Sequence, residues 1–384
     1  MTMTTLEITL RGAQVLTAEG LTACDLSLSN GRIADTPSGR AVDLDGYMIL
    51  PGIVDIHGDG FERHLAPRRG AMKDLAQGMI ATEAELAANG ITTAVLAQFY
   101  SWEGGMRGPE FADQVFAALT AVREHVETDL HAQLRFEMSL LDDYAAVEDM
   151  VARHGIGYVV FNDHLPHKAL AAGKKPQGLT GQALRIGRNP EKHLEYIQGL
   201  HARLPEVGPA LDRLSTGLAA RGVRLGSHDD ATAEGRRQAR ARGMTIAEFP
   251  ETLEAAEEAR AGGDAVIMGA PNLVRGGSHK GNVSAVDLVA MGLVDALASD
   301  YHYPSLMRAA FLLADGGVCD LATAWGLISS GPARLLGLSD RGTLRPGQRA
   351  DLVILAADTR RVVATMAEGR ISYMAGAVAR RFIG

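Results

Sequence analysis

Along residues 6–49 apolar and polar positions alternate, broken by turn signals at Arg11-Gly12, Asn30-Gly31 and Ser38-Gly39. A period of two is that of strands with one face buried. Asn30-Gly31 lies between Leu26-Ser27-Leu28-Ser29 and Arg32-Ile33, and predicts a hairpin because both residues accept the positive φ of a tight turn. The pattern then changes. From Tyr47 to Ile56 the chain is apolar apart from Asp55 and one Pro-Gly step, as suits a strand covered on both faces. Further buried-strand patterns fall at 52–57, 91–98, 131–139, 156–163, 222–227, 244–248, 264–269 and 295–299, with helical patterns in most of the gaps. Ala71 to Asn89 is one such helix, closed by Gly90. Eight strands with crossover helices predict a (β/α)8 TIM-like barrel of the α/β class, whose catalytic groups sit at the C-terminal strand ends.

The C-terminal part returns to turn-and-strand patterning, with Gly342 to Leu355 followed by a strand pair near Val362 to Val378. Two short β segments at opposite ends can hardly each bury a core, so 1–49 and 345–384 are expected to form one small β-sandwich and 50–344 the barrel. The interval 164–220 is long for a single loop and helix. Its Gly, Pro and Lys content from Pro166 to Pro190 predicts a mobile loop over the site.

Composition narrows the partners. Of 384 residues, 46% are hydrophobic and 22% charged, an ordinary globular balance, and no apolar run is as long as a membrane span. The N-terminus lacks a basic stretch followed by an apolar one, and only two cysteines, Cys24 and Cys319, are present. A cytoplasmic enzyme without a disulfide framework is expected. With 38 Lys and Arg against 46 Asp and Glu the net charge is −8, which argues against general nucleic-acid binding. Local basic clusters leave room for a small anionic substrate. Homodimerisation is left open, since no interface is legible.

Placing polar residues at the strand ends assembles candidate chemistry. His57 and Asp59 end the first strand, Glu137 the third, Asp163-His164 the fourth, Ser227-His228-Asp229-Asp230 the fifth, and Ser299-Asp300 the eighth. Imidazoles with carboxylates match a site for Zn²⁺, with Mn²⁺ or Fe²⁺ also fitting, and one or two ions. Plainer roles stand beside these. Glu137 could merely pair with an arginine, and Asp229 and Asp230 could cap the next helix. A second cluster, Pro271 to Asn282, offers glycines for close backbone approach with Arg275, His279 and Lys280 as cationic donors, which suits phosphate oxygens.

The order of a β segment, Pro51-Gly52-Ile53-Val54-Asp55-Ile56-His57, a barrel with late His and Asp, and Ala350-Asp351-Leu352-Val353 resembles the amidohydrolase superfamily. Ser227 to Thr232, Ala247 to Pro250, Met268 to Asn272, Val274 to His279 and Ser299 to Tyr301 are similar to its diphosphatase branch in the carbon–phosphorus lyase pathway. The resemblance implies a metal-dependent hydrolase that releases pyrophosphate from α-D-ribose 1-methylphosphonate 5-triphosphate. It implies His57, Asp59, Glu137, His164, His228 and Asp300 as metal ligands, Glu137 as the bridging group, and Asp300 as the residue that exchanges the proton of the attacking water. Arg63, Arg68, Arg275, His279 and Lys280 become the candidates for holding the phosphate chain. The chain departs from that branch at Gly58, Gly60-Phe61 and Met138-Ser139-Leu140. Hydrolysis of an amide, cyclic amide or aminated ring is the rival chemistry on the same metal, and a metal-free scaffold the rival class.

Overall fold

The computed structural model of the chain describes residues 5–66, 74–277 and 282–383. Seven N-terminal strands come first: β1 (Ile8–Arg11), β2 (Gln14–Thr17), β3 (Gly20–Ala23), β4 (Leu26–Ser29), β5 (Arg32–Ala34), β6 (Arg40–Asp43) and β7 (Tyr47–Pro51). Eight follow that build the central sheet: β8 (Ile53–Gly58), β9 (Ile91–Tyr100), β10 (Asp129–Glu137), β11 (Tyr158–Asn162), β12 (Arg224–His228), β13 (Ile246–Glu248), β14 (Ala265–Gly269) and β15 (Ala296–Ala298). Three more end the chain: β16 (Leu352–Ala356), β17 (Val362–Ala367) and β18 (Arg370–Met374).

The sheet β8–β15 runs in strict chain order, with helices between its strands. Its last strand meets its first, since Gly58 pairs in parallel with Asp300. This is the (β/α)8 architecture expected from the apolar runs. All ten residues of β9 are buried, as a strand covered on both faces requires. Helices start where the chain supplies a cap. Thr232, Thr252 and Ser284 accept from Gly235 N, Ala255 N and Asp287 N.

The termini form two further sheets, β5-β4-β1-β6 and β18-β17-β16-β7-β2-β3. The hairpin at Asn30-Gly31 is present, with φ of 51° and 74° and Ser29 paired to Arg32. Strands β7 and β16 pair antiparallel from Tyr47↔Ala356 to Pro51↔Leu352. Leu10, Leu28 and Ile49 from the N-terminal segment share one apolar cluster with Leu352, Ile354 and Met366 from the C-terminal one. Neither segment therefore buries its apolar face alone.

The chain divides into two compact units. One comprises Met1–Leu96, Ala121–His131 and Ile267–Gly384; the other Ala97–Thr120 and Ala132–Val266. In the second, the stretch from Pro166 to Pro190, expected to be a mobile loop, holds two short helices, His167–Ala171 and Leu179–Arg185, and two longer ones follow, Pro190–Ala202 and Leu204–Ala220. Its prolines and glycines punctuate helices. Pro190 opens a helix capped by Asn189, and Gly178 precedes another in a left-handed conformation. Among the described residues no helix is long and apolar enough to cross a membrane.

Candidate active site

In the first unit β8 delivers His57 and the turn after it delivers Asp59, while β15 leads directly into Asp300. The backbone ties these together: Asp59 N donates to Asp300 O at 2.8 Å, and Asp300 N donates to His57 O at 3.0 Å. One ligand atom from each of His57, Asp59 and Asp300 lies within 4.8 Å of the other two. Asp300 has φ of 54°, a left-handed conformation uncommon outside glycine and concentrated at functional sites.

Beneath this group lies Asp55, fully buried. Its carboxylate accepts Ser299 N at 3.0 Å and Ser299 Oγ at 2.5 Å. Burial pushes the Asp55 carboxyl above its ordinary range, against the opposing pull of those hydrogen bonds. The space above it is closed. A Cβ on Gly58 would stand 2.7 Å from Asp55 Oδ2 and 2.9 Å from Ser299 Oγ, so only glycine fits there. The Tyr303 hydroxyl is buried too, without a hydrogen-bond partner among the described residues. Burial, then the charges of Asp55 and Asp59, raise it well above the usual phenol value.

One imidazole and two carboxylates converging at a strand end are the nitrogen and oxygen donors that Zn²⁺, Mn²⁺ and Fe²⁺ take. The residues present fit one divalent ion.

In the second unit β10 presents Gln133, Arg135 and Glu137 on one face, at the strand's period of two. Each finds a partner from a later segment. Gln133 Nε2 donates to Glu248 Oε1 at 2.7 Å, and Tyr158 donates its hydroxyl to the same oxygen at 2.6 Å. Arg135 Nη2 donates to His228 Nε2 at 2.9 Å. Glu137 accepts His164 N at 3.0 Å and makes a very short hydrogen bond with His164 Nδ1. Glu137 thus pairs with the histidine, and the arginine goes elsewhere. His164, His228 and Asp229 bring one ligand atom each within 4.8 Å of one another. Asp229 Oδ2 stands 3.1 Å from His228 Nδ1 and 3.8 Å from His164 Nε2.

Burial works against the charged form of both histidines, with different outcomes. At His164 the hydrogen bonds to Asp229 and Glu137 overcome it and the pKa rises to about 9. At His228 burial and the nearby Arg135 act together and lower it. The Asp229 carboxyl, despite its burial, is held well below its usual range by His228 and His164. Asp229 also has a positive φ, 60°. Neither Asp229 nor Asp230 caps the following helix; Thr232 does. Asp230 instead accepts from Ser227 Oγ at 2.5 Å and from the fully buried Arg236 at 2.9 Å. A cavity of about 270 Å³ in this unit is lined by His164, His228, Asp229, Asp230, Phe161 and Met138, among others.

The phosphate-binding candidates divide. Arg63 donates to Gly60 O at 2.8 Å and Tyr301 O at 2.9 Å and stands 3.4 Å from Glu85. Arg275 ends a short helix, Ala270–Arg275, and donates to Tyr301 Oη at 2.5 Å. Arg68, His279 and Lys280 lie outside the described residues. Sequence reasoning passed over Asp55, Glu248 and Tyr303, and saw in Arg135 only a partner for Glu137. The signal for Arg135 was available: polar residues at 133, 135 and 137 on a stretch otherwise apolar and buried need partners inside.

Imidazoles and carboxylates gathered at the strand ends of a (β/α)8 sheet suit a hydrolase, and the chain belongs to the amidohydrolase family, whose sequence pattern matches residues 210–378. It is 34% identical over 341 residues, 86% of this chain and 90% of the other, to the alpha-D-ribose 1-methylphosphonate 5-triphosphate diphosphatase of Escherichia coli (strain K12). A shorter similarity, 32% over 57 residues and 14% of this chain, links it to 12% of the D-hydantoinase of Rhizobium radiobacter. Among solved structures, dihydropyrimidinase from Brevibacillus agri superposes with a TM-score of 0.55 over 96% of this chain and 95% of its own, at 15% identity. That likeness is one of fold.

Proposed function

We propose that this chain is a metal-dependent diphosphatase that releases pyrophosphate from a ribose 5-triphosphate, with α-D-ribose 1-methylphosphonate 5-triphosphate as the substrate. The observation that carries the reading is the similarity to the Escherichia coli diphosphatase over nine-tenths of that enzyme. The site chemistry agrees with it. His57, Asp59 and Asp300 would hold a divalent ion, and His164, His228 and Asp229, with Glu137 behind His164, form a second candidate group. A bound divalent ion would supply positive charge against phosphoryl oxygens and acidify an attacking water. Asp300 then takes the proton of that water and passes it to the leaving group. Asp55 and Ser299 keep the segments before His57 and Asp300 in register while this happens. Among the described basic residues, Arg275 is the candidate for the phosphate chain, beside Tyr301. Arg63 is engaged by backbone carbonyls and shapes the Gly60 turn.

Phosphorus NMR tests this. The zinc-replete protein is incubated with the triphosphate, with metal-stripped protein and Asp300→Asn as controls. Pyrophosphate from the replete wild type alone supports the reading. No release by protein that carries metal overturns it, and the hydantoinase similarity then directs the search to cyclic amides.

A further inference from the structure

His228 is spoken for twice, and the two claims conflict. Arginine is a donor only, so its hydrogen bond at 2.9 Å consumes the lone pair on His228 Nε2. A neutral imidazole has one lone pair and one N–H, so the proton then lies on Nδ1, which faces the Asp229 carboxylate at 3.1 Å. In that state neither nitrogen can ligate an ion. Ligation through Nδ1 with Arg135 still on Nε2 would require removing the ring's last proton.

The arginine is not a passing visitor. Arg135 is 4% exposed, and its guanidinium lies 3.8 Å from the centroid of the Phe99 ring. The Arg107 guanidinium stands 4.2 Å from the same centroid. A stacked guanidinium is held in plane and aimed by its ring, and it offers donors only. The strand places it as well: Arg135 sits one period from Glu137, on the face that Gln133 shares.

We infer that Arg135 takes the place of an ion at the His164–His228–Asp229 group, so that the chain binds a single divalent ion, at His57, Asp59 and Asp300. The inference rests on the metal-dependent reading above and departs from it at His228, which becomes the seat of a built-in cation instead of a ligand. A guanidinium there supplies a permanent positive charge and fixes the ring's tautomer.

The test counts metal. Full-length protein is stripped with a chelator, reloaded with Zn²⁺, dialysed and analysed for zinc per chain; a Co²⁺ titration followed by visible absorption gives the same count independently. The expected result is one ion in the wild type, one in His228→Asn, and two in Arg135→Met, where the imidazole lone pair is released beside His164 and Asp229. Two tightly held ions in the wild type overturn the inference. So does a fall in the count on His228→Asn, which decides the matter alone if Arg135→Met does not fold. No zinc in the wild type overturns the inference together with the metal-dependent reading. A count of one with no pyrophosphate release from the triphosphate leaves the inference standing and removes only the substrate.

Discussion

Replacing Arg236 by methionine should destabilise the second unit by about 3–5 kcal/mol, the usual cost of removing one partner of a buried ion pair. The Arg236 side chain is fully buried and engages four groups from three segments. Nη1 donates to Ser227 Oγ at 2.7 Å and to Asp230 at 2.9 Å, Nη2 donates to Met244 O, and Nε stands 3.1 Å from Asp264. The two carboxylates do not suffer equally when the guanidinium goes. Asp264 keeps Arg240 Nε at 2.8 Å, whereas among the described residues Asp230 keeps the Ser227 hydroxyl and no cation. Most of the loss should therefore arise at Asp230, and Asp230→Asn on the methionine background should return roughly 1–3 kcal/mol of it, the range for uncovering a buried polar group. Thermal unfolding followed by circular dichroism reads this as a drop of roughly 6–20 °C for a unit of this size. Arg236→Lys should recover little, because one ammonium cannot reach the four sites the guanidinium fork serves. A methionine variant within about 1 kcal/mol of wild type, or a double variant no more stable than the single, would refute the reasoning. The consequence reaches the site, since Asp230 and the left-handed Asp229 are consecutive.

Three further outcomes follow from the first unit. Asp300→Asn should lower pyrophosphate release at least ~10²-fold, the usual worth of a positioned proton acceptor, and activity within tenfold of wild type would remove Asp300 from that role. Gly58→Ala drives a methyl to 2.7 Å from Asp55 Oδ2 and 3.0 Å from Tyr303 Cε1; overpacking of this kind costs about 1–3 kcal/mol, and zinc affinity measured by competition with a chromophoric chelator should fall with it. Asp129, although burial alone would raise it, is held below its ordinary 3.8 by His131 and Arg341. A depressed folded pKa stabilises above the unfolded value and is lost as pH falls through the folded one. Asp129→Asn should therefore cost stability at neutral pH and progressively less below about pH 4, measured by urea unfolding across that range; an equal cost at every pH would contradict the sign.

Why some of this was legible and some not comes down to where each constraint lives. The eight central strands are legible to within two residues of their ends because burial on both faces leaves a largely apolar stretch, as in Ile91 to Tyr100, all ten of whose residues are buried and only Thr92, Thr93 and Gln98 polar. His57, Asp59 and Asp300 were legible because strand period and strand ends are local properties. The segment from Pro166 to Pro190 was misread because proline and glycine mark helix ends as well as loops, and here Pro190 and Gly178 do the former. Arg135 was the hardest case. Its position one period before Glu137 showed that it faced inward, but a buried cation's partner is fixed by a strand that lies 93 residues further on, at His228. A buried charge announces that a partner exists without naming it. The same limit explains why six candidate ligands can be gathered from sequence while the question of which imidazole lone pairs are open cannot. Ligand type is a property of the residue; ligand availability belongs to its neighbours, and at His228 the neighbour is an arginine.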